Sequence, residues 1–150
     1  MTAHASRLKV MKALLKRRKI NGCIGYPRVD LVGHPKQELL PATLHEYLSR
    51  ERVPHNISVI SVYEVSVLAG RGRVNVGIPI HEWIDEATDG SNIRVIPVDK
   101  QIAEYAGRLP DIHGDPMDRI IIATSLLQEA TLVTKDHWIH QYPDLNTLWE

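Results

Sequence analysis

The sequence predicts one α/β domain built around a mostly parallel β-sheet. Short β-branched runs alternate with longer amphipathic stretches along most of the chain. TLVT at 131–134 is apolar on both sides, as expected of a strand buried in a parallel sheet. IIIATSLL at 120–127 is apolar almost all round, which is typical of a helix packed against such a sheet. We therefore expect three layers, α/β/α, with a central, mostly parallel sheet.

The composition fits one domain without a membrane segment. A chain of 150 residues is long enough to bury a core without disulfides. It has no run of 18 apolar residues, and its basic opening lacks the apolar core of a signal peptide. The single cysteine, Cys23, excludes an internal disulfide and a cysteine-based zinc site. We expect a cytoplasmic protein with no membrane partner.

The formal net charge of zero conceals a strong asymmetry. Residues 1–29 hold eight Lys/Arg and no acid, so the rest holds ten basic and eighteen acidic residues, a balance of minus eight. Residues 6–19 have apolar side chains at helical spacing among the basic ones. This arm could bind nucleic acid or an acidic partner, or it could be a solvated and poorly ordered segment. We expect residues 1–27 to be an atypical basic segment and residues 28–150 to be the domain.

The elements follow in order along the domain. Segment 21–35 makes a poor strand, because Pro27 cannot donate to a sheet ladder and two glycines leave gaps in packing. Beyond it, apolar periodicity and turn signals predict helices at 41–53, 62–72, 78–90, 99–110 and from 116, and strands at 55–61, 93–98, 131–134 and 145–149. In the helix at 99–110 we expect Asp99 to be the N-cap, and Ile102, Ala103 and Ala106 to face inward.

The segment 113–136 contains three of the candidate functional acids. Asp115 can cap a helix that begins at Pro116, which places Asp118 in the first turn, and Asp136 lies just past a strand end. Ligands of open α/β sheets bind beyond the carboxyl ends of the strands. The alternative for each acid is a purely structural role as a cap or a partner of the helix dipole.

These residues resemble a known family. HGDPMDRIIIATSLLQEATLVTKD at 113–136, ISVYEV at 60–65 and YPDLNTLW at 142–149 are similar to the PIN-domain family, in particular the VapC-type ribonuclease toxins of bacterial toxin–antitoxin pairs. The resemblance covers about residues 38 to 150. It implies an endoribonuclease that cleaves single-stranded regions of RNA with Mg²⁺ or Mn²⁺ held by acidic residues.

The resemblance also implies the site and the partners. Glu64, Asp118 and Asp136 match the family's metal-binding acids, and Asp115 matches a frequent secondary acid. Family members normally open with a strand that ends in Asp-Thr or Asp-Ser, which this chain lacks, so Asp30 is the only local substitute. A cognate antitoxin protein and a homodimer are the implied partners. For residues 1–27, a native, a frame-altered and a disordered segment all stand as alternatives.

The sequence leaves two alternatives to the nuclease function. Three acids without the first-strand acid favour a catalytically impaired PIN-like module that binds an antitoxin or RNA without cleaving it. The basic arm favours a nucleic-acid binder whose affinity falls steeply with salt. Within the site, His113 could contact phosphate or hold its loop, and Arg119 could pair with an acid, orient it or meet RNA.

Overall fold

In a computed structural model of the protein, one five-stranded sheet with the order β3-β2-β1-β4-β5 organises the chain. The structure describes residues 23–25, 55–73, 75, 77–88, 93–134 and 136–149. The strands are β1 (Cys23–Gly25), β2 (His55–Ser58), β3 (Ile93–Ile96), β4 (Thr131–Val133) and β5 (Thr147–Leu148). The helices are α1 (Val59–Gly70), α2 (Ile80–Thr88), α3 (Lys100–Arg108) and α4 (Pro116–Leu127), with a 3-10 helix at Ile139–Gln141.

Strand direction determines which chain ends share an edge of the sheet. β2 pairs with β3 and β4 pairs with β5 in parallel, whereas β1 is antiparallel to both β2 and β4. β2, β3, β4 and β5 therefore run the same way, and their carboxyl ends lie at one edge. The carboxyl end of β1 lies at the opposite edge. The predicted α/β class and the mostly parallel sheet are confirmed.

The expectation of a poor strand in segment 21–35 was wrong for Cys23–Gly25. Ile24 pairs with Asn56 on one side and with Leu132 on the other, so the strand lies in the middle of the sheet. The pairing uses backbone groups, which a glycine supplies as well as any residue, and Pro27 lies beyond the strand.

The boundary between β2 and α1 lies three residues earlier than predicted. The side chain of Ser58 accepts a hydrogen bond from the Ile60 N–H at 3.2 Å and caps α1, so the helix begins at Val59. Glu64 consequently lies in the second turn of α1. The apolar run that suggested a long strand belongs to both elements.

The core lies around α4, as the apolar run at 120–127 predicted. Ile121, Ile122 and Ala123 have no exposed surface, and Leu132 of β4 and Ile139 are equally buried. Pro116 occupies the first helical turn, as expected of a residue with no N–H to satisfy. Burial on this scale fixes α4 against the sheet and thereby fixes its amino end.

Helix α3 packs on the same core by a narrower face than predicted. Ile102 and Ala106 are buried, but Ala103 is exposed, so its predicted inward position was wrong. Ala103 is one residue from Ile102 and therefore about 100° around the helix axis from it. Asp99 caps α3 as expected, accepting the Ile102 N–H at 2.8 Å.

None of the helices in the described part of the chain has the length and apolar character needed to cross a bilayer. The predicted helix at 41–53, the basic arm at 6–19 and Asp30 lie outside the described residues.

Candidate active site

Three predicted acids are carried by elements at the carboxyl edge of the parallel strands. Glu64 belongs to α1, which follows β2 directly, and Asp136 lies three residues beyond the end of β4. Asp118 is in the first turn of α4 and is buried, with a relative exposure of 7%. Each acid is thus placed by an element whose start or end is set by the sheet.

A histidine joins two of these acids. The Nε2 atom of His113 lies 3.4 Å from Oδ2 of Asp118 and 3.5 Å from Oδ2 of Asp136. The side chains of His113 and Asp118 are each only 11% exposed. One ring atom therefore contacts two carboxylates that are distant from each other along the chain.

Glu64 faces the same group of acids. Burial, followed by the negative charges of Asp118 and then Asp115, raises the pKa of Glu64 from 4.5 to about 8. Its Oε2 atom is buried and has no hydrogen-bond partner. A buried carboxyl oxygen without a partner is costly, so this atom is available to a cation.

The tautomer of His113 follows from its other nitrogen. The backbone N–H of Asp115 donates to Nδ1 of His113 at 3.2 Å. Because a nitrogen that accepts a hydrogen bond carries no proton, the ring proton is assigned to Nε2. This Nε2–H lies near one oxygen of each of Asp118 and Asp136.

The loop before α4 is held by Arg119 and Tyr142. The guanidinium of Arg119 donates to the carbonyl oxygens of Leu109 at 2.7 Å, Pro110 at 3.0 Å and His113 at 3.3 Å. The hydroxyl of Tyr142 accepts from the His113 N–H at 3.0 Å and donates to the Pro110 carbonyl at 3.1 Å. Of the three roles considered for Arg119, the observed hydrogen bonds match none, because they go to loop carbonyls.

Of the two roles considered for His113, the structure shows the one of holding its loop, and the contact of its ring with two acids is a role that the sequence had not suggested. Its backbone helps to hold the loop, whereas its ring contacts the acids. The position of His113 two residues before the capping Asp115 was a usable signal. At that spacing a ring nitrogen can reach the N–H of the cap residue, as a side-chain oxygen does in an Asx turn.

Asp115 and Asp136 are both fixed by local hydrogen bonds. Asp115 accepts the Met117 N–H at 2.9 Å, which confirms its predicted capping role. Asp136 accepts the Trp138 N–H through Oδ1 at 2.9 Å, and its own N–H donates to Oγ1 of Thr134 at 3.0 Å. Each carboxylate therefore keeps an oxygen that is not used by these backbone contacts.

The donor set suits a hard divalent cation, although the side chains do not converge on a single point. Among the described residues, no three His, Cys, Asp or Glu side chains lie close enough to hold one ion as they stand. Carboxylate oxygens are nevertheless the ligands that Mg²⁺ and Mn²⁺ prefer. The unpartnered Glu64 oxygen and the mutual repulsion of the acids both favour a cation here.

Comparisons of the sequence with known proteins identify the family of the chain. The sequence matches the family described as PIN domain over residues 36–145. It is 32% identical over 96 residues to a protein named Ribonuclease VapC22 from Mycobacterium tuberculosis (strain ATCC 25618 / H37Rv), an alignment that covers 62% of this chain and 72% of that protein. No solved structure matches the chain significantly. The family match includes the strands β2, β3 and β4 and the site residues Glu64, His113, Asp118 and Asp136. The chain belongs to the PIN-domain family as a VapC-type member.

Proposed function

We propose that this protein is a metal-dependent endoribonuclease that hydrolyses RNA phosphodiester bonds and acts as the toxin of a toxin–antitoxin pair. The observation that carries the proposal is the grouping of Glu64 and Asp118 with Asp136 at one edge of the sheet. The similarity to a protein named as a VapC ribonuclease supports the reaction class. An RNA substrate, a cognate antitoxin and a homodimer belong to the same proposal.

Glu64, Asp118 and Asp136 are the residues that would hold Mg²⁺ or Mn²⁺, with Asp115 as a secondary acid already engaged in its cap. When bound, the metal would activate water and offset negative charge on the phosphate. Glu64 would have to release its proton to act as a ligand, since burial and the charges of Asp118 and Asp115 raise its pKa to about 8. His113 keeps the carboxylates of Asp118 and Asp136 oriented through Nε2–H.

A non-catalytic PIN-like module is the second candidate, and the direction of β1 favours it. The family's first-strand acid comes at a strand's carboxyl end, but the carboxyl end of β1 lies at the edge opposite Glu64 and Asp136. This central strand therefore does not direct an acid that follows it toward the site. Asp30, five residues beyond Gly25, remains the candidate substitute on sequence grounds alone.

Cleavage of a labelled RNA in Mn²⁺ separates these candidates. Asp118→Asn removes a ligand charge while keeping the side-chain size, and we expect cleavage to fall at least 100-fold. Asp85→Asn is the matched control, because Asp85 is exposed on α2. Cleavage by Asp118→Asn at the normal rate, or by the normal protein in excess chelator, would reject the nuclease assignment.

The same purified protein also tests the second candidate, the non-catalytic PIN-like module. If the normal protein leaves every RNA intact in Mn²⁺ but still forms a stable complex with its antitoxin, the second candidate is correct. Copurification with the antitoxin, followed by its removal, supplies the chain for both assays. Light scattering of that chain measures whether it is a dimer.

A further inference from the structure

We propose that Trp138 is a stacking platform for an unpaired RNA base at the rim of the candidate active site. The inference rests on the proposed ribonuclease function and assigns one substrate-binding side chain to it. By stacking platform we mean the indole face of Trp138 alone. Trp138 follows Asp136 by two residues, and no metal-binding motif includes it.

The exposure of Trp138 is unusual for a large apolar side chain. Half of the side chain is exposed to solvent, although Ile139 next to it has no exposed surface and Tyr142 is only 3% exposed. Large aromatic side chains contribute most to stability when they are buried. Ile139 and Tyr142 thus anchor this turn in the core, whereas the large apolar ring of Trp138 stays in water, where it can contact a ligand.

A hydrogen bond ties the backbone of Trp138 to the side chain of Asp136. The Trp138 N–H donates to Oδ1 of Asp136 at 2.9 Å. Downstream, the ring of His140 bridges two strands, with Nε2 2.9 Å from the Thr134 carbonyl oxygen and Nδ1 2.6 Å from Oγ1 of Thr147. The backbone that carries the indole is thus anchored on both sides, so binding of a base does not have to order this segment of the chain.

A second exposed ring lies beside the first. The ring centroids of His137 and Trp138 are 4.5 Å apart, and the planes are tilted by 43°. Because the planes are not parallel, His137 does not cover the indole as a stacked partner would. Two adjacent aromatic rings beside a carboxylate are suited to an unpaired base whose phosphate lies at the acids.

The charge of the domain also favours stacking. Residues 30–150 have a formal balance of minus eight, so their net charge repels phosphate. The guanidinium of Arg119 is already used by three loop carbonyls. Base stacking on an aromatic ring does not depend on net charge, and every base offers a face for it.

Binding of a fluorescein-labelled single-stranded oligoribonucleotide to the full chain, in excess chelator, tests the platform without cleavage. We expect Trp138→Ala to weaken binding about tenfold, equivalent to about 1.4 kcal/mol. Trp138→Phe keeps an aromatic face and should stay within about threefold of the normal affinity. Ile78→Ala is the control, because Ile78 is a large apolar residue that is 39% exposed and lies before α2, outside the elements that carry the candidate metal-binding acids. Thermal unfolding verifies that each variant is folded.

Oligonucleotides with one abasic nucleotide distinguish base stacking from a purely structural role of Trp138. One abasic nucleotide in the oligonucleotide should weaken binding to the normal protein and leave binding to Trp138→Ala unchanged. The platform would be overturned if the abasic nucleotide weakened binding to Trp138→Ala as much as binding to the normal protein. Normal affinity in Trp138→Ala, or an equal loss in Ile78→Ala, would also overturn it. A Trp138 that instead seats a segment of the antitoxin predicts unchanged RNA affinity, and no measurable RNA binding by the normal chain would also overturn it.

This design separates the two proposals. Absence of cleavage in Mn²⁺ would reject the nuclease assignment, but RNA binding measured in excess chelator would still test the role of Trp138. Conversely, normal cleavage and binding by Trp138→Ala would remove the platform and leave the nuclease assignment intact.

Discussion

Glu64→Gln provides the sharpest test of the electrostatics at the site. The substitution keeps the shape of the side chain but removes its ability to ionise. In the metal-free protein the pKa of Glu64 is raised to about 8, first by burial and then by the charges of Asp118 and Asp115. Between pH 4.5 and 8 the folded protein therefore binds one more proton than the unfolded chain. The free energy of unfolding must fall as the pH rises through this window.

The size of the effect follows from that shift. Raising the pKa from 4.5 to about 8 corresponds to about 5 kcal/mol at roughly 1.4 kcal/mol per pH unit. Glu64 is only partly buried, so solvent screening reduces this to about 2 kcal/mol. At about pH 5 the normal protein and Glu64→Gln should have nearly equal stability. At about pH 8 the variant should be more stable by about 2 kcal/mol, or about 4–8 °C in Tm.

Thermal unfolding in chelator from about pH 5 to about pH 8 measures this difference. Glu86→Gln is the control, because Glu86 is exposed on α2, and its pH profile should follow that of the normal protein. Parallel profiles for Glu64→Gln and the normal protein would refute the reasoning. Adding Mn²⁺ at about 100 times its Kd should stabilise the normal protein by about 2.7 kcal/mol. Glu64→Gln should lose most of that stabilisation.

Three further predictions concern the histidine, the loop and the core. His113→Ala should weaken Mn²⁺ binding about tenfold in calorimetry, because Asp118 and Asp136 lose a shared orienting contact; unchanged affinity would show that the ring is dispensable. Arg119→Ala should lower the free energy of unfolding by about 2–3 kcal/mol, since three loop carbonyls lose their donor. Urea unfolding measures this loss. Its control is Arg108→Ala, which breaks an exposed ion pair and should leave the urea midpoint nearly unchanged. Ile121→Ala should cost about 2–5 kcal/mol through the cavity it leaves in the core, and a smaller loss would indicate that the core collapses around it.

Local signals predicted the elements that depend on neighbouring residues. The Asp115–Pro116 pair placed the start of α4, and Asp99 placed the start of α3. The boundary before Val59 was missed because the apolar residues on either side of Ser58 suit a strand as well as a helix. Only the cap hydrogen bond to Ile60 separates the two elements.

The site was predictable to the extent that it follows from a motif and a strand end. Glu64, Asp118 and Asp136 were selected from the sequence, and the sheet brings the elements that carry them to one edge. Their role as metal ligands stays a prediction. The contact of one His113 nitrogen with two carboxylates was not predictable, since it depends on how α4 and the segment after β4 meet.

The sequence by itself determined the α/β class and the caps of α3 and α4, because these depend on residue type and short-range spacing, and its resemblance to the PIN-domain family supplied the choice of acids. Tertiary structure alone decided the direction of β1, the hydrogen bonds of Arg119 and the raised pKa of Glu64. Each of these depends on groups that are distant along the chain, and on the loss of solvent when they pack together.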